Sequence, residues 1–403
     1  MPLMPVAEAL AKVLERAAPL AAEQAKLSDA HRRVLAESLV ARHTQPPSDV
    51  SAMDGYAVRA ADVAAVPATL KVIGEVAAGR SFSGTVGKGE AARIFTGGVV
   101  PPSADTIVIQ ENVKRDGERI LVETGSPPGK HIRRAGLDFR EGATLLDKGR
   151  RLSGRDLALA AAMNHATVAV HRRPKVAVLA TGDELVMPGE QRNAAQIFYS
   201  NGYSIMALVS SEGAEVINLG IVPDKIDETV AALRRARTLG ADVLVTSGGA
   251  SVGDYDLVQK ALAAEGVELS FWKVAMRPGR PLMHGLLGTT QVLGLPGNPV
   301  SAFVCSLLYL VPLLRKLAGR TDLEQAPESA ILGTPLPAND ERADYIRAGL
   351  TRSDNGQAIA TPYTVQDSSM QLSLANADCL IIRAPLAPAA AKGEPCSIVK
   401  LPL

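Results

Sequence analysis

Aromatic residues make up only 3% of this 403-residue chain, cysteine occurs three times, and neither sign of charge prevails. The scarcity of rings argues against a stacking platform for nucleic-acid bases and against a ring-walled carbohydrate groove. The 43 Lys+Arg against 42 Asp+Glu leave a net charge of +1, so no overall field exists to hold a polyanion or an acidic lipid surface. No nucleic acid and no membrane is therefore expected as a partner. Cys305, Cys379 and Cys396 show neither CxxC spacing nor an even count. Neither a zinc site nor a disulfide framework is indicated, and a reducing, cytoplasmic compartment fits. Cys305 lies in an apolar run and reads as a packed thiol, while the six histidines are scattered without metal-ligand spacing. Long apolar runs are missing too. The longest, over 302–314, is shorter than a bilayer span, and Glu8, Lys12, Glu15 and Arg16 interrupt the first apolar residues, so neither export nor anchoring is expected. What the chain has is 47% hydrophobic residues, enough for large cores in two to four domains.

Val6, Leu10, Val13, Leu14 and Ala17 recur at helical spacing and predict an amphipathic helix, with a second expected over 31–41. Over 46–138 short β-like pieces, such as 70–73 and 106–108, alternate with Gly and Pro turns and predict a β-rich insert. Helix returns over 154–163, so 1–45 plus 139–173 are expected to join as one helical domain interrupted by the insert. From 174 to 322 apolar strands (176–180, 216–221, 243–246, 267–274, 291–295) alternate with helices (203–209, 225–239, 257–264, 299–316). This alternation predicts a central three-layer α/β domain with a mainly parallel sheet, whose ligands gather at the carboxyl ends of the strands. Residues 323–403 are β-patterned and form a separate C-terminal domain.

The strand ends carry the candidate chemistry. After 243–246 comes Ser247-Gly248-Gly249-Ala250-Ser251-Val252-Gly253-Asp254-Tyr255-Asp256, opening onto a helix. Three glycines free backbone amides to point inward, two serines add donors, and a helix N-terminus favours an anion, so a phosphate fits. The segment lacks the lysine of a P-loop and the GxGxxG spacing, and a plain turn with Asp254 as helix cap accounts for it equally well. Thr181-Gly182-Asp183-Glu184 follows one strand and Asp224 another, delivering carboxylates to the same edge; convergent carboxylates suit Mg²⁺. Asp224 also stands where a helix N-cap is expected. Lys273, Arg277 and Arg280 lie where a strand runs into a Pro/Gly turn, and the two arginines can offer forked donors to a phosphate or tetrahedral oxyanion. Leu295-Pro296-Gly297-Asn298-Pro299-Val300-Ser301 reads as a helix start, capped by Asn298 with Pro299 in the first turn. In the insert, the segments around Asp54 and Thr96 read singly as turns.

Taken together and in order, 51–59, 93–98, 181–185, 247–256, 273–281 and 295–301 resemble the molybdopterin molybdenumtransferase family, the MoeA proteins related to the gephyrin E domain. The resemblance covers nearly the whole chain. It implies a helical N-terminal domain interrupted by the β-rich insert, a molybdopterin-binding, MogA-like central α/β domain and a C-terminal β-barrel, in an elongated homodimer whose active cleft forms between subunits. It implies Mg²⁺-dependent insertion of molybdate into adenylylated molybdopterin with release of AMP, and transient contact with other molybdenum cofactor biosynthesis or molybdoenzyme-maturation proteins. Carried over position by position, Ser247, Gly248, Gly249, Ser251, Gly253 and Asp254 would hold pterin phosphate. Glu184, Asp224 and Asp256 would serve Mg²⁺ and the anhydride, and Lys273, Arg277 and Arg280 would neutralise phosphate or hold molybdate. Pro296, Pro299, Ser301, Arg347 and Ser368 would complete the substrate site, with Asp54 and Thr96 supplied by the partner subunit's insert. The chain departs from the family at Pro47-Ser48-Asp49-Val50, where Phe-Asp-Asn is usual, so any contact of that asparagine is lost. Two other functions share parts of this pattern: an adenylyl-transfer step catalysed by single-domain relatives, and a non-catalytic molybdopterin-binding scaffold. The insert and C-terminal domain argue against the first, and the second would call for a fused extra domain.

Overall fold

The computed structural model describes residues 3–248 and 257–402. Three six-stranded sheets dominate these residues. The central sheet contains β1 (Lys175–Thr181), β2 (Glu215–Val222), β3 (Val243–Ser247), β4 (Glu268–Trp272), β5 (Met283–Leu287) and β6 (Thr290–Leu295), in the order β2-β1-β3-β6-β5-β4. β2, β1, β3 and β6 are parallel, whereas β5 is antiparallel to both of its neighbours, so β4 again runs with the majority. β1, β3 and β6 are buried almost throughout, which is why they read as continuous apolar runs rather than alternating ones. The sequence reading overlooked β5. Its signal was the turn at Gly288, which has φ +62° and folds β5 back onto β6.

Helices cover both faces. Asn201–Ser211 and the apolar rod Pro299–Leu317 pack with Val176, Val178, Val243 and Leu293, while Leu233, Ala236, Val258 and Leu262 form a second core around Ala177 and Leu244. Pro299–Leu317 is long and apolar enough to cross a membrane if taken alone, a property that the shorter apolar run did not reveal. Of its most apolar stretch 72% is buried within the protein, which marks it as a core helix. The N-terminal helix Val6–Glu15 packs on this rod through Ala9, Leu10 and Val13, and Lys316 Nζ donates to the Leu14 carbonyl (2.7 Å), placing a cation at the negative end of the helix.

The second N-terminal helix, expected over 31–41, does not form. Leu35 N donates to the Arg150 carbonyl (3.0 Å) and Ala36 N to that of Ala169 (2.9 Å), and Leu39–Val40 pairs with Thr144–Leu146. Backbone groups committed to such partners cannot close helical turns. The stretches flanking the insert do meet, through the antiparallel pair Ala22–Lys26 and Thr167–His171, beside the helix Gly154–Ala162 with its Ser153/Asp156 capping box. The insert forms its own six-stranded sheet. At the C-terminus five strands close into a barrel, because Ala343–Arg352 pairs with both Ala358–Pro362 and Cys379–Arg383. Met276–Arg277 adds to the start of Ala343–Arg352 and ties the barrel to the central domain.

Candidate active site

In register, Thr246, Gly294, Met283 and Trp272 lie across β3, β6, β5 and β4. The segments following β1, β2, β3, β6 and β4 therefore emerge along one edge, and a cavity of about 540 Å³ opens there. Glu184, Ser247, Gly248, Gly297, Asn298 and Pro299 border it, so three of the predicted segments converge. Gly248 has φ +92°, and a Cβ there would sit 2.5 Å from the Thr181 carbonyl oxygen, so only glycine lets β3 leave the sheet this close to β1. Gly249, Ser251, Gly253, Asp254 and Asp256 lie outside the described residues.

Asn201 holds this edge together and was not singled out from sequence, although Ser-Asn before a helix is a start signal. Its Nδ2 donates to Ser247 Oγ (3.0 Å) and to the Gly297 carbonyl (2.7 Å), linking the exit of β3 to that of β6. Two helices, Asn201–Ser211 and Pro299–Leu317, begin at the cavity, and amide-rich helix starts favour anions. Thr181 of the predicted turn lines it too, as does Ser369 next to the predicted Ser368, while Arg192, Phe198 and Gln371 were likewise missed.

Asp224 is not a helix cap. Lys225 occupies the N-cap position of Ile226–Thr238, and Asp224 instead exchanges bonds with Asp183: Asp183 N donates to Asp224 Oδ2 (3.3 Å) and Asp224 N to Asp183 Oδ1 (3.1 Å). Glu184 lies beside it in sequence, and its carboxylate folds so closely over Gly182 that a Cβ there would meet Oε2 at 2.4 Å. Among the described residues no three His, Cys, Asp or Glu converge as a metal cluster. The Asp183–Asp224 clasp sets two carboxylates at the strand ends, and a magnesium ion asks for no more than one or two, its remaining positions being filled by substrate phosphate and water.

Asn298 has the backbone of an N-cap, yet its side chain makes no cap bond. Its Nδ2 donates to Ser368 Oγ (2.7 Å), and the first free helix amide, Val300 N, donates to the Ser368 carbonyl (3.0 Å). The cap thus comes from the barrel. Arg347 is 1% exposed and does not reach the cavity. Its guanidinium donates to Gln366 Oε1, Ser373 Oγ and the carbonyls of Asp367 and Met370, fixing the loop that bears Ser368 and Ser369. Burial lowers its pKa from the usual arginine value. Pro296 and Ser301 are buried beside the site without lining it.

The three cations diverge. Arg277 is engaged by Asp344 (2.6 Å) and Asp340 (3.5 Å), and its bond to Asp344 raises its pKa. Arg280 is exposed, with no ion pair to any described residue, and Lys273 Nζ lies 4.3 Å from the Trp272 ring centroid. Asp54 and Thr96 sit together in the insert, away from the cavity lining: Asp54 Oδ1 accepts from Thr96 N and Oγ1, both at 2.8 Å. These bonds, the backbone one foremost, hold the Asp54 pKa below the ordinary aspartate value. Asp49, in the segment that departs from the family pattern, accepts from Ala135 N (2.9 Å) and Arg134 (2.5 Å). Cys305 is fully buried, its Sγ donating to the Gly279 carbonyl, and burial drives its thiol far above the reactive range.

Three family profiles follow the chain in order: the MoeA N-terminal region (domain I and II) over 4–164, a probable molybdopterin binding domain over 177–316, and the MoeA C-terminal region (domain IV) over 329–401. The molybdopterin molybdenumtransferase of Haemophilus influenzae is 34% identical over 378 residues, covering 93% of each chain. That of Bacillus subtilis is 32% identical over 94% of this chain and 90% of its own. The chain belongs to the MoeA family of molybdopterin molybdenumtransferases. Among solved structures, the molybdopterin biosynthesis MoeA protein of Pyrococcus horikosii superposes with a TM-score of 0.84 at 31% identity, covering 99% of both chains.

Proposed function

We propose that this MoeA-family protein is a cytoplasmic molybdopterin molybdenumtransferase that joins molybdate to adenylylated molybdopterin, releasing AMP. The observation that carries this reading is the cavity at the strand ends, where Ser247, Gly248 and two helix starts converge with Glu184. Amides and hydroxyls of that wall suit the substrate's phosphates, and a rigid frame of donors needs no reorganisation as charge develops. Glu184 at the cavity and Asp224, clasped to Asp183, would each offer a carboxylate to magnesium, which commonly takes one or two and when bound neutralises phosphate charge. Arg280 and Lys273, which stand outside the cavity lining, would supply cationic donors for the tetrahedral dianion, whereas Arg277 would have to share itself with Asp344. The pterin's own sulfurs ligate the metal, consistent with a chain whose Cys305 is buried and inert.

The protein works as a homodimer in this proposal, with Asp54 and Thr96 brought to the cavity by the partner subunit. That arrangement gives a purpose to an ordered, solvent-facing carboxylate that its own subunit leaves away from the cavity. It also passes its product on through transient contact with other cofactor-biosynthesis or molybdoenzyme-maturation proteins. The test is to supply purified protein with adenylylated molybdopterin, magnesium and molybdate. AMP release that depends on molybdate, with metal appearing in the pterin, is expected, and AMP release indifferent to molybdate would overturn the proposal.

A further inference from the structure

The chain contains only six Phe and one Trp, yet it leaves Phe198 43% exposed and its neighbour Ile197 56% exposed on the wall of the cavity. Tyr199, next in line, is buried to 1%. The exposed pair is therefore not the outward half of an alternating strand. Leu185–Val186 and Ile197–Phe198 pair in parallel, and the chain between them folds out and back so that Arg192 returns over the Phe198 ring, its guanidinium carbon 5.6 Å from the centroid. That position is fastened: Arg192 Nη1 donates to the Gln196 carbonyl (3.0 Å), Asn193 N donates to Gln196 Oε1 (3.1 Å), and Ala195 N donates to Asn193 Oδ1 (2.8 Å).

A flat apolar ring and a flat cation, held in contact on a cavity wall, offer two stacking faces to a planar heterocycle. Every such ring has a π face, so this recognition asks for flatness rather than for a particular hydrogen-bond pattern. We infer that Phe198 and Arg192 form the ring-binding subsite of the cavity, receiving a flat nitrogen heterobicycle while Ser247, Gly248 and the start of Asn201–Ser211 receive its phosphate. The inference rests on the proposed substrate, whose adenine and pterin share this ring chemistry.

The test is equilibrium binding to the intact protein, with no metal transfer involved. Its probes are AMP, ribose 5-phosphate and a phosphate-free pterin, and it compares the natural chain with Phe198→Ala, Phe198→Tyr and Arg192→Ala. If adenine occupies the subsite, Phe198→Ala weakens AMP about tenfold, Phe198→Tyr restores it, and ribose 5-phosphate is unaffected. If the pterin occupies it, the same pattern appears with the pterin probe and AMP does not change. Unchanged binding of both ring probes in Phe198→Ala would overturn the inference, as would a natural chain that binds AMP no tighter than ribose 5-phosphate and does not bind the pterin. Loss of ring binding without molybdate-dependent AMP release would instead uphold the subsite and sink the proposed reaction. Melting temperatures of the variants should match the natural chain, because Phe198 and Arg192 are exposed.

Discussion

Asn201 joins two loops that come from strands separated by more than forty residues, with one side-chain nitrogen reaching both Ser247 and Gly297. Asn201→Ala removes both bonds at once. Each is worth about 1 kcal/mol, so a stability loss of about 1–2 kcal/mol is expected in urea melts. The larger effect falls on geometry: freed loops should cost at least tenfold in kcat/KM, because misplacement of about 1 Å is enough to do so. Equal kcat/KM in the two proteins would show that the loops hold their places without it. At the insert, Thr96 lowers the Asp54 pKa through its amide first and its hydroxyl second. The interaction is at full strength above the unfolded carboxyl pKa and is lost as pH falls through the lowered folded value. Thr96→Ala keeps the amide and removes the hydroxyl, so the Asp54 midpoint should rise toward the ordinary 3.8, followed by carboxyl NMR, with the acid limb of activity moving up in step. A midpoint that stays put would remove the hydroxyl from the account.

Among elements, the barrel loop around 366–371 shows how a buried charge can act at a distance. Arg347 never touches the cavity, but its donors hold the loop that caps Val300 and presents Ser369. Arg347→Lys keeps the charge and cannot serve four acceptors from one ammonium, so the expected loss is about 3 kcal/mol in a urea melt, with early proteolysis of that loop. Resistance to protease at the natural level would deny Arg347 this role. The sequence-based reading gave Arg347 a substrate contact, since an arginine in a family motif invites one; its burial and the backbone carbonyls around it are tertiary facts. The central strands were legible because buried parallel strands form short apolar runs between Gly and Asp turns, and the edge on which they deliver Thr181, Ser247 and Leu295 follows from direction alone. The segment 31–41 was misread for the opposite reason. Val34, Leu35 and Leu39 have helix-compatible spacing, but the partners that claim their backbone lie about 100 residues or more away, beyond the reach of periodicity. Barrel closure through Tyr345 and Ile382 is equally invisible in an alternating pattern.

At the scale of the whole molecule the question is where Asp54 meets Glu184. Both are solvent-accessible, Asp54 is held by its bonds to Thr96, and only Glu184 lines the cavity of its own subunit. If each active site combines the central domain of one subunit with the insert of the other, Asp54→Ala and Glu184→Gln damage different halves of the same site. Each variant alone should be inactive. After unfolding and refolding together in equal amounts, half of the dimers carry one copy of each variant, and one of their two sites receives both intact residues. Activity should therefore return to about a quarter of the natural level, a value fixed by twofold symmetry and random pairing. A site built within one subunit can recover nothing in this mixture, since every subunit carries a lesion. Measured as molybdate-dependent AMP release, a recovery near a quarter would place Asp54 across the interface, and none, from a mixture shown to contain mixed dimers, would return it to its own chain.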